Sequence, residues 1–450
     1  MNLSITLPIL AEIIQPLNQV RSENWTTENV TGINTDTRYL KAGEVFIALV
    51  GETFDGHHFI GNALEAGASA LILNQNFSGN IPQEISQFYV ENTLTAYQQI
   101  AHWWRKQYQI PVIGITGSVG KTTTKELIAG VLSQYGKVLK TEANYNNEVG
   151  VPKTLLRLNG EYDYAVVEMA MRARGEIAQL TDIAQPTIGL ITNVGTAHIG
   201  RLGSRQAIAQ AKCELLQQMP EDATAILNHD NTRLINTAAT VWNGKTLTYG
   251  LEGGDLQGQV LDSETLSVGD LTFPVPLPGV HNASNYLAAL AVAKTLNLDL
   301  TRLQQGITVE LPGARSRRYP LDNDIILLDE TYNAGVESMI ASLQLLKDTP
   351  GERHIAVLGT MKELGEQSEA LHRQVGEMVA KLALDHLLVF VDDPETEAIA
   401  TAAKPVASEC FQDKTALLKR LREIIAPRDR VLFKASNSVG LNEVLDQLRI

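Results

Sequence analysis

Gly114–Glu126 reads GITGSVGKTTTKE, with glycines at 114, 117 and 120, a lysine at 121 and threonines at 122, 123 and 124. The apolar run VIGIT before the loop is a strand candidate, and the residues from Lys121 onward open a helix candidate. Glycines at such a junction let backbone N–H groups converge on phosphate oxygens, and the positive end of the helix adds to them. In the pattern G-x-x-G-x-x-G-K-T-T the lysine brings a full charge to the β- and γ-phosphates, and the first threonine offers a hydroxyl to Mg2+. Gly117, Ser118, Gly120, Lys121, Thr122 and Thr123 are therefore the expected contacts to a nucleoside triphosphate. The competing reading is a glycine turn that only caps a helix, and the strand and helix in the right places weigh against it.

Outward from the loop, DYAVVEMA, TIGLITN and ATAILN are further strand candidates, separated by helical periodicity such as GSRQAIAQAKCELLQQM. That alternation predicts an α/β fold with parallel strands between helices. Before it, EVFIAL and SALILN read as strands, with FIGNALEAGA between them as a helix ending at glycine. After the breaks at FPVPLPGVHN and ELPGARSRRYP the alternation restarts with IILLDE, HIAVLG, HLLVFV and RVLFKAS. Three α/β domains are expected: an N-terminal domain over 1–109, a central P-loop ATPase-type domain over 110–312, and a C-terminal Rossmann-like domain over 313–450.

The 450 residues carry 37 Lys and Arg against 51 Asp and Glu, a net charge of −14. A surface this acidic argues against nonspecific binding of nucleic acid or anionic membranes, so an anionic ligand needs a local pocket. Two cysteines, Cys213 and Cys410, give no disulfide framework. MNLSITLPILAEII lacks the basic start and unbroken apolar run of a signal peptide, and no stretch of about 18 apolar residues could span a bilayer. A cytoplasmic protein without membrane insertion is expected.

Three residues beyond the loop are candidates for chemistry. Glu168 ends the DYAVVE strand, where P-loop enzymes place a second Mg2+ ligand, although strand-end carboxylates also cap turns. His198 follows the TIGLITN strand, and a lone loop histidine is more often a surface residue than a ligand. Lys212 lies in the following helix, where a lysine is usually only solvated.

Together GITGSVGKTTTKE, NYNNEVGVP, VVEMAMRARGEI, TNVGTAHIGRLGS, AQAKCE, GVHNASNYLAAL, LPGAR and LLDETYNAG resemble the Mur ligase family, the ATP-dependent amide-forming enzymes of peptidoglycan synthesis. The strings span nearly the whole chain in one order. NYNNEVGVP, DETYNAGVESM, VLGTMKELGEQSEALHRQVG and FDGHHF are most similar to the subclass that adds the last dipeptide. The Asp-Asn-Pro-Arg signature of the diaminopimelate-adding subclass is absent. The resemblance implies ATP, UDP-MurNAc-tripeptide and D-Ala-D-Ala as substrates, an acyl-phosphate intermediate and a monomeric enzyme. It implies one Mg2+ on Thr122 and Glu168, and a second served by His198 and by Lys212 as its CO2 carbamate, since an ammonium has no acceptor. It implies Lys121, Glu168, His198, Lys212 and Arg315 as the catalytic set. Asn282 and Arg315, with Arg317 and Arg318 as rivals for the latter, would reach ATP, and Asp329, Tyr332 and Asn333 would hold its ribose and adenine. The first domain becomes a UDP-sugar domain, with Thr37 and Arg38 as uridine and phosphate contacts and Asn144, Asn146 and Asn147 as sugar or peptide contacts. The C-terminal domain would take the incoming amine. Two strings depart mildly from the family pattern: Asp329–Glu330 before Tyr332, and KAS at 434–436 where Lys-Gly-Ser is usual. Folylpolyglutamate synthetase shares the loop and the modified lysine but lacks a UDP-sugar domain. A regulatory GTPase would need an Asn-Lys-x-Asp string, which is absent.

Overall fold

The computed structural model describes residues 5–27, 29–313 and 316–449. They fall into two compact units, and the chain passes between them repeatedly. The first unit takes the chain up to Val112, then Gly136–Met169 and Gln179–Pro186. The second takes Ile113–Tyr135, Ala170–Ala178 and everything from Thr187.

The first unit is built on a sheet in the order Asn18–Val20, Ser86–Val90, Ala70–Asn74, Glu44–Ile47 and Gly32–Asn34, parallel except for its first strand. Two strands recognised in the sequence, EVFIAL and SALILN, form its interior. The helix Thr93–Lys106 starts where the Asn92 side chain accepts from the N–H groups of Leu94 and Thr95. Its face of Ala96, Tyr97 and Ile100 is buried with Leu7, Leu10 and Ile14 of the helix Leu7–Ile14, and with Val45, Ile47 and Phe88 of the sheet. The same helix ties in the later stretches of this unit. Gln98 Nε2 donates to the Glu148 carbonyl and Trp104 Nε1 to that of Leu158. The buried Arg105 guanidinium donates to the carbonyls of Tyr108, Ala184 and Gln185. Val138–Lys140 and Tyr164–Glu168 pair in parallel.

The second unit holds two sheets. In the first, the VIGIT strand Val112–Thr116 is followed in space by Ile188–Ile191, Thr224–Asn228, Lys245–Gly250 and Leu256–Asp262, all parallel. Thr265–Val268 and Leu271–Pro274 then close the edge as antiparallel hairpins. The sequence reading assigned no strand to 245–272 and read a break from Phe273, and the reason is physical. Leu256–Asp262 alternates buried and exposed residues instead of forming an apolar run. The helix Val280–Thr295 is apolar nearly all round and is buried along most of its length, packed on the helix Lys121–Leu132.

The second sheet runs Arg317–Leu321, Ile325–Asp329, Asp429–Lys434, Arg353–Gly359, His386–Phe390 and Ala407–Phe411, parallel except for its first strand. Ile355, Val357, Leu388, Val431 and Phe433 form its core with helix residues Leu417, Leu421 and Leu445. A bidentate pair, Arg353 to the buried Asp429, clamps the start of two neighbouring strands.

Candidate functional site

The glycine-rich loop is held by the segment that follows the neighbouring strand. Ser118 N–H donates to the Asn193 carbonyl at 3.1 Å and Val119 N–H to Asn193 Oδ1 at 3.0 Å. Thr192 Oγ1 and Asn193 Nδ2 both donate to the Val119 carbonyl, and Gly195 N–H donates to Ser118 Oγ. The approach is so close that a Cβ at Gly117 would stand 1.9 Å from Thr192 Oγ1, so only glycine fits. Lys121 begins the helix, and its Nζ donates to the Gly117 carbonyl at 2.8 Å, curling back over the loop. Thr122 is buried beside it. Behind the loop Thr124 Oγ1 donates to Asn285 Oδ1, whose amide in turn donates to Asn282 Oδ1. Asn282 Nδ2 is spent on the Pro278 carbonyl. This leaves Asn282 as a support beneath the loop in the described conformation.

The strand Ile188–Ile191 also delivers His198, whose Nδ1 lies 2.7 Å from Glu363 Oε2. Burial, followed by the charges of Lys212 and Lys121, holds its imidazole below its ordinary range, and the Glu363 carboxylate pulls the other way. Lys212 sits in the helix Arg205–Gln218 with only 1% of its surface exposed. Burial, the largest cause, and the nearby Lys121 charge push its ammonium well below the usual lysine range. Lys212 is thus not the solvated helix lysine of the bland reading. Lys212 is buried, Lys121 and His198 are half-buried, and the three lie within one another's electrostatic reach as one cluster beside the loop, with Glu363 against His198. The cluster suits a polyphosphate, and it suits conversion of one amine to an anion.

Three family descriptions match in succession: "Mur ligase family, catalytic domain" over residues 29–100, "Mur ligase middle domain" over 115–293, and "Mur ligase, glutamate ligase domain" over 315–437. A curated relative, the UDP-N-acetylmuramoyl-tripeptide–D-alanyl-D-alanine ligase of Synechocystis sp., is 59% identical over 419 residues, 93% of this chain and 92% of its own. The chain belongs to the Mur ligase family. Among solved structures, MurF from Acinetobacter baumannii superposes with a TM-score of 0.90 at 30% identity over 99% of each chain. MurF ligase from Thermotoga maritima in complex with ADP superposes with a TM-score of 0.82 at 31% identity, over 93% of this chain and 97% of its own.

The Mur ligase frame sorts the remaining sequence candidates. In the first unit, Glu168 is 2% exposed, with Oε1 accepting from Asn146 Nδ2 at 2.8 Å and its N–H donating to Thr141 Oγ1. Asn147 Oδ1 accepts from the Gly150 N–H and shapes the loop, whereas Asn144 is exposed. Thr37 is half-buried, and Arg38 projects into solvent in a bidentate pair with Asp36, which holds that carboxyl below its usual range. In the second unit, Asp329 Oδ1 accepts from Thr331 N–H and Oγ1, which shapes the turn after its strand, with Tyr332 half-buried and Asn333 exposed. Its neighbour Glu330 is half-buried, and desolvation raises its carboxyl pKa. Lys434 Nζ, 4.0 Å from Glu330, donates to the Asn333 carbonyl. Ser436 Oγ accepts from the Lys362 N–H. Arg317 and Arg318 are exposed on an edge strand, and Arg315 lies outside the described residues. Sequence reasoning missed Asn193, Asn285, Glu337 and Glu363. All four stood inside quoted strings, TNVGTAH, HNASN, DETYNAGVESM and VLGTMKELGEQSEALHRQVG, but nothing marked them as struts.

Among the described residues no group of three His, Cys, Asp or Glu could by itself hold a metal ion. Donors that suit Mg2+ are of another kind: in the second unit the Thr122 hydroxyl, a neutral imidazole at His198 and Lys212 once modified, and in the first unit, taken by itself, the buried Glu168 carboxylate. A neutral, buried amine is the form that adds CO2, so these residues fit the family's metal chemistry.

Proposed function

We propose that this protein joins D-alanyl-D-alanine to UDP-MurNAc-tripeptide, using ATP and passing through an acyl phosphate. The observation that carries this reading is the 59% identity, across 93% of the chain, to a ligase of that name. The phosphate loop and the Lys121, His198 and Lys212 cluster beside it would supply the chemistry. The three expected domains, 1–109, 110–312 and 313–450, would take the UDP-sugar, the ATP phosphates, and the amine with the ATP base.

Lys121 opens the loop helix and meets the charge that accumulates on phosphoryl oxygens when the tripeptide carboxylate attacks the γ-phosphate. The N–H groups at the start of the helix, Lys121 and Thr122, would orient the same oxygens, while those of Ser118 and Val119 are held by Asn193. Thr122 and Glu168 would hold one Mg2+, and His198 and carbamylated Lys212 a second, which would supply positive charge against that build-up. His198 offers Nε2, because its Nδ1–H is engaged by Glu363. Lys212 would contribute by a change of charge: its neutral amine would add CO2 and release a proton, giving a carbamate anion able to ligate a cation. Asn282, Asp329, Tyr332 and Asn333, with Arg315, would hold nucleotide. Thr37, Arg38, Asn144, Asn146 and Asn147 would hold the UDP-sugar, where Arg38 must exchange Asp36 for phosphate. A monomer in the cytoplasm is the expected state, and no helix of the described residues is long and apolar enough to cross a membrane.

The second reading is the subclass that adds a diamino acid to the dipeptide precursor. Phosphate release measured with UDP-MurNAc-peptides of different length separates the two. Release that needs both the tripeptide precursor and D-Ala-D-Ala is expected. Turnover with diaminopimelate or lysine on the shorter precursor, and none with the dipeptide, would refute the proposal.

A further inference from the structure

His198 and Glu363 are both non-glycine residues in the left-handed region, at φ 66° and 64°. A side chain in this region is strained and persists where its surroundings over-determine it. Here the two strained residues hold each other, Nδ1 to Oε2 at 2.7 Å. They come from different sheets of the second unit. His198 lies in the stretch matched by the middle-domain description, and Glu363 in that matched by the C-terminal one.

The loop that carries His198 is gripped at several points by the C-terminal sheet. Gly200 N–H donates to the Glu363 carbonyl at 3.1 Å, and the Arg201 guanidinium donates to Glu363 Oε1 at 3.2 Å. Thr196 Oγ1 donates to Glu337 Oε2 at 2.8 Å. Gly200 and Gly365 pack backbone on backbone: a Cβ on Gly200 would stand 2.6 Å from Gly365 N. An ionised carboxylate only accepts, so Glu363 places the imidazole proton on Nδ1 and leaves the lone pair on Nε2. Outer carboxylates that fix a ligating histidine in this way are worth roughly 10- to 100-fold in affinity or activity.

We propose that Glu363 is a positioning residue through which docking of the C-terminal sheet selects the Nδ1–H tautomer of His198. The Nε2 lone pair is then presented in its working orientation only in the docked arrangement. The link to catalysis rests on the reading of His198 as a Mg2+ ligand. A plain docking contact is the alternative, and its loss would leave the imidazole unchanged.

The test uses full-length protein labelled with 15N-histidine and free of metal, with the His198 resonances assigned by their loss in His198→Gln. A single Nδ1–H tautomer is expected in the wild type. In Glu363→Ala it should give way to a mixture, and Glu363→Gln, whose amide oxygen still accepts, should keep it. Arg201→Ala removes a docking contact without touching the imidazole and should also keep it. If Glu363→Ala does not fold, Glu363→Asp, which draws the carboxylate back by a methylene, should produce the same mixture. In parallel, the Mg2+ concentration for half-maximal turnover should rise about tenfold or more in Glu363→Ala and recover in part in Glu363→Gln. An unchanged tautomer in Glu363→Ala, or equal changes in Glu363→Ala and Arg201→Ala, overturns the proposal. An altered tautomer while His198→Gln keeps the wild-type Mg2+ requirement overturns the ligand reading of His198, and with it the link to catalysis.

Discussion

Lys121 and Lys212 are both lysines near the expected phosphates, and their surroundings assign them opposite tasks. Lys121 opens a helix with its ammonium turned to the loop carbonyl of Gly117, ready to exchange that partner for a phosphate oxygen. Lys121→Ala should lower kcat 10²-fold or more, on the order of 3 kcal/mol of barrier, as measured by phosphate release. Retained turnover within about threefold would reduce the loop to a helix cap. Lys212 is buried with its charge disfavoured. Lys212→Ala should be nearly inactive, and added acetate or formate should restore part of the rate by placing a carboxylate in the space vacated. Near-normal activity of that variant, or a bare ammonium in high-resolution density with substrate and Mg2+ bound, would exclude the carbamate. Sequence alone offered no warning that this lysine is buried. Its helix is recognisable, but which face turns inward is settled by residues far away in the chain.

The segment from Thr360 to the helix Ser368–Lys381 shows how an element places a residue. His372 is fully buried; its Nε2 accepts from the Met361 N–H at 2.9 Å and its Nδ1–H donates to the Ser368 carbonyl at 2.9 Å. Acceptance at Nε2 requires the neutral ring, and burial, the largest cause, lowers its pKa from 6.5. Between 6.5 and that lower value the unfolded chain binds a proton that the folded chain refuses, so stability falls as pH falls through this window. Thermal unfolding should show the wild type losing stability between about pH 7.5 and 5.5. His372→Asn should start less stable and lose less over that range, and parallel losses would remove His372 as the cause. Parallel strands in this chain are legible because burial on both faces writes them as apolar runs, as in VIGIT and IILLDE. The edge hairpins over 256–274 escaped because one face is wet, and Glu363 escaped because its partner lies 165 residues away with no local pattern to announce it. The phosphate loop was legible because its spacing is itself the chemistry.

At the scale of the molecule, the ties between the two sheets of the second unit include hydrogen bonds and ion pairs at Thr196, Gly200 and Arg201, contacts that can be exchanged at modest cost. Chemistry that needs Lys121 on one sheet and nucleotide contacts at Asp329 and Asn333 on the other should go with domain closure. The radius of gyration from small-angle scattering should therefore fall when an ATP analogue and the UDP-substrate are added together. A profile that both leave unchanged would count against closure. The first unit has a different history to tell. Its helix Thr93–Lys106 is anchored on carbonyls of Glu148, Leu158, Ala184 and Gln185, so the unit is incomplete until residue 186 has been made. During synthesis the ribosome adds 74 residues (186 − 112) between the end of its first stretch and the end of its last. At about 5–20 residues per second that interval is roughly 4–15 s, and the stretch that forms the phosphate loop is made within it. The nascent first stretch must wait half-built, with Trp104 and Arg105 lacking their anchors, and a release of the chain near residue 112 should yield a fragment for proteases and chaperones instead of a free-standing domain.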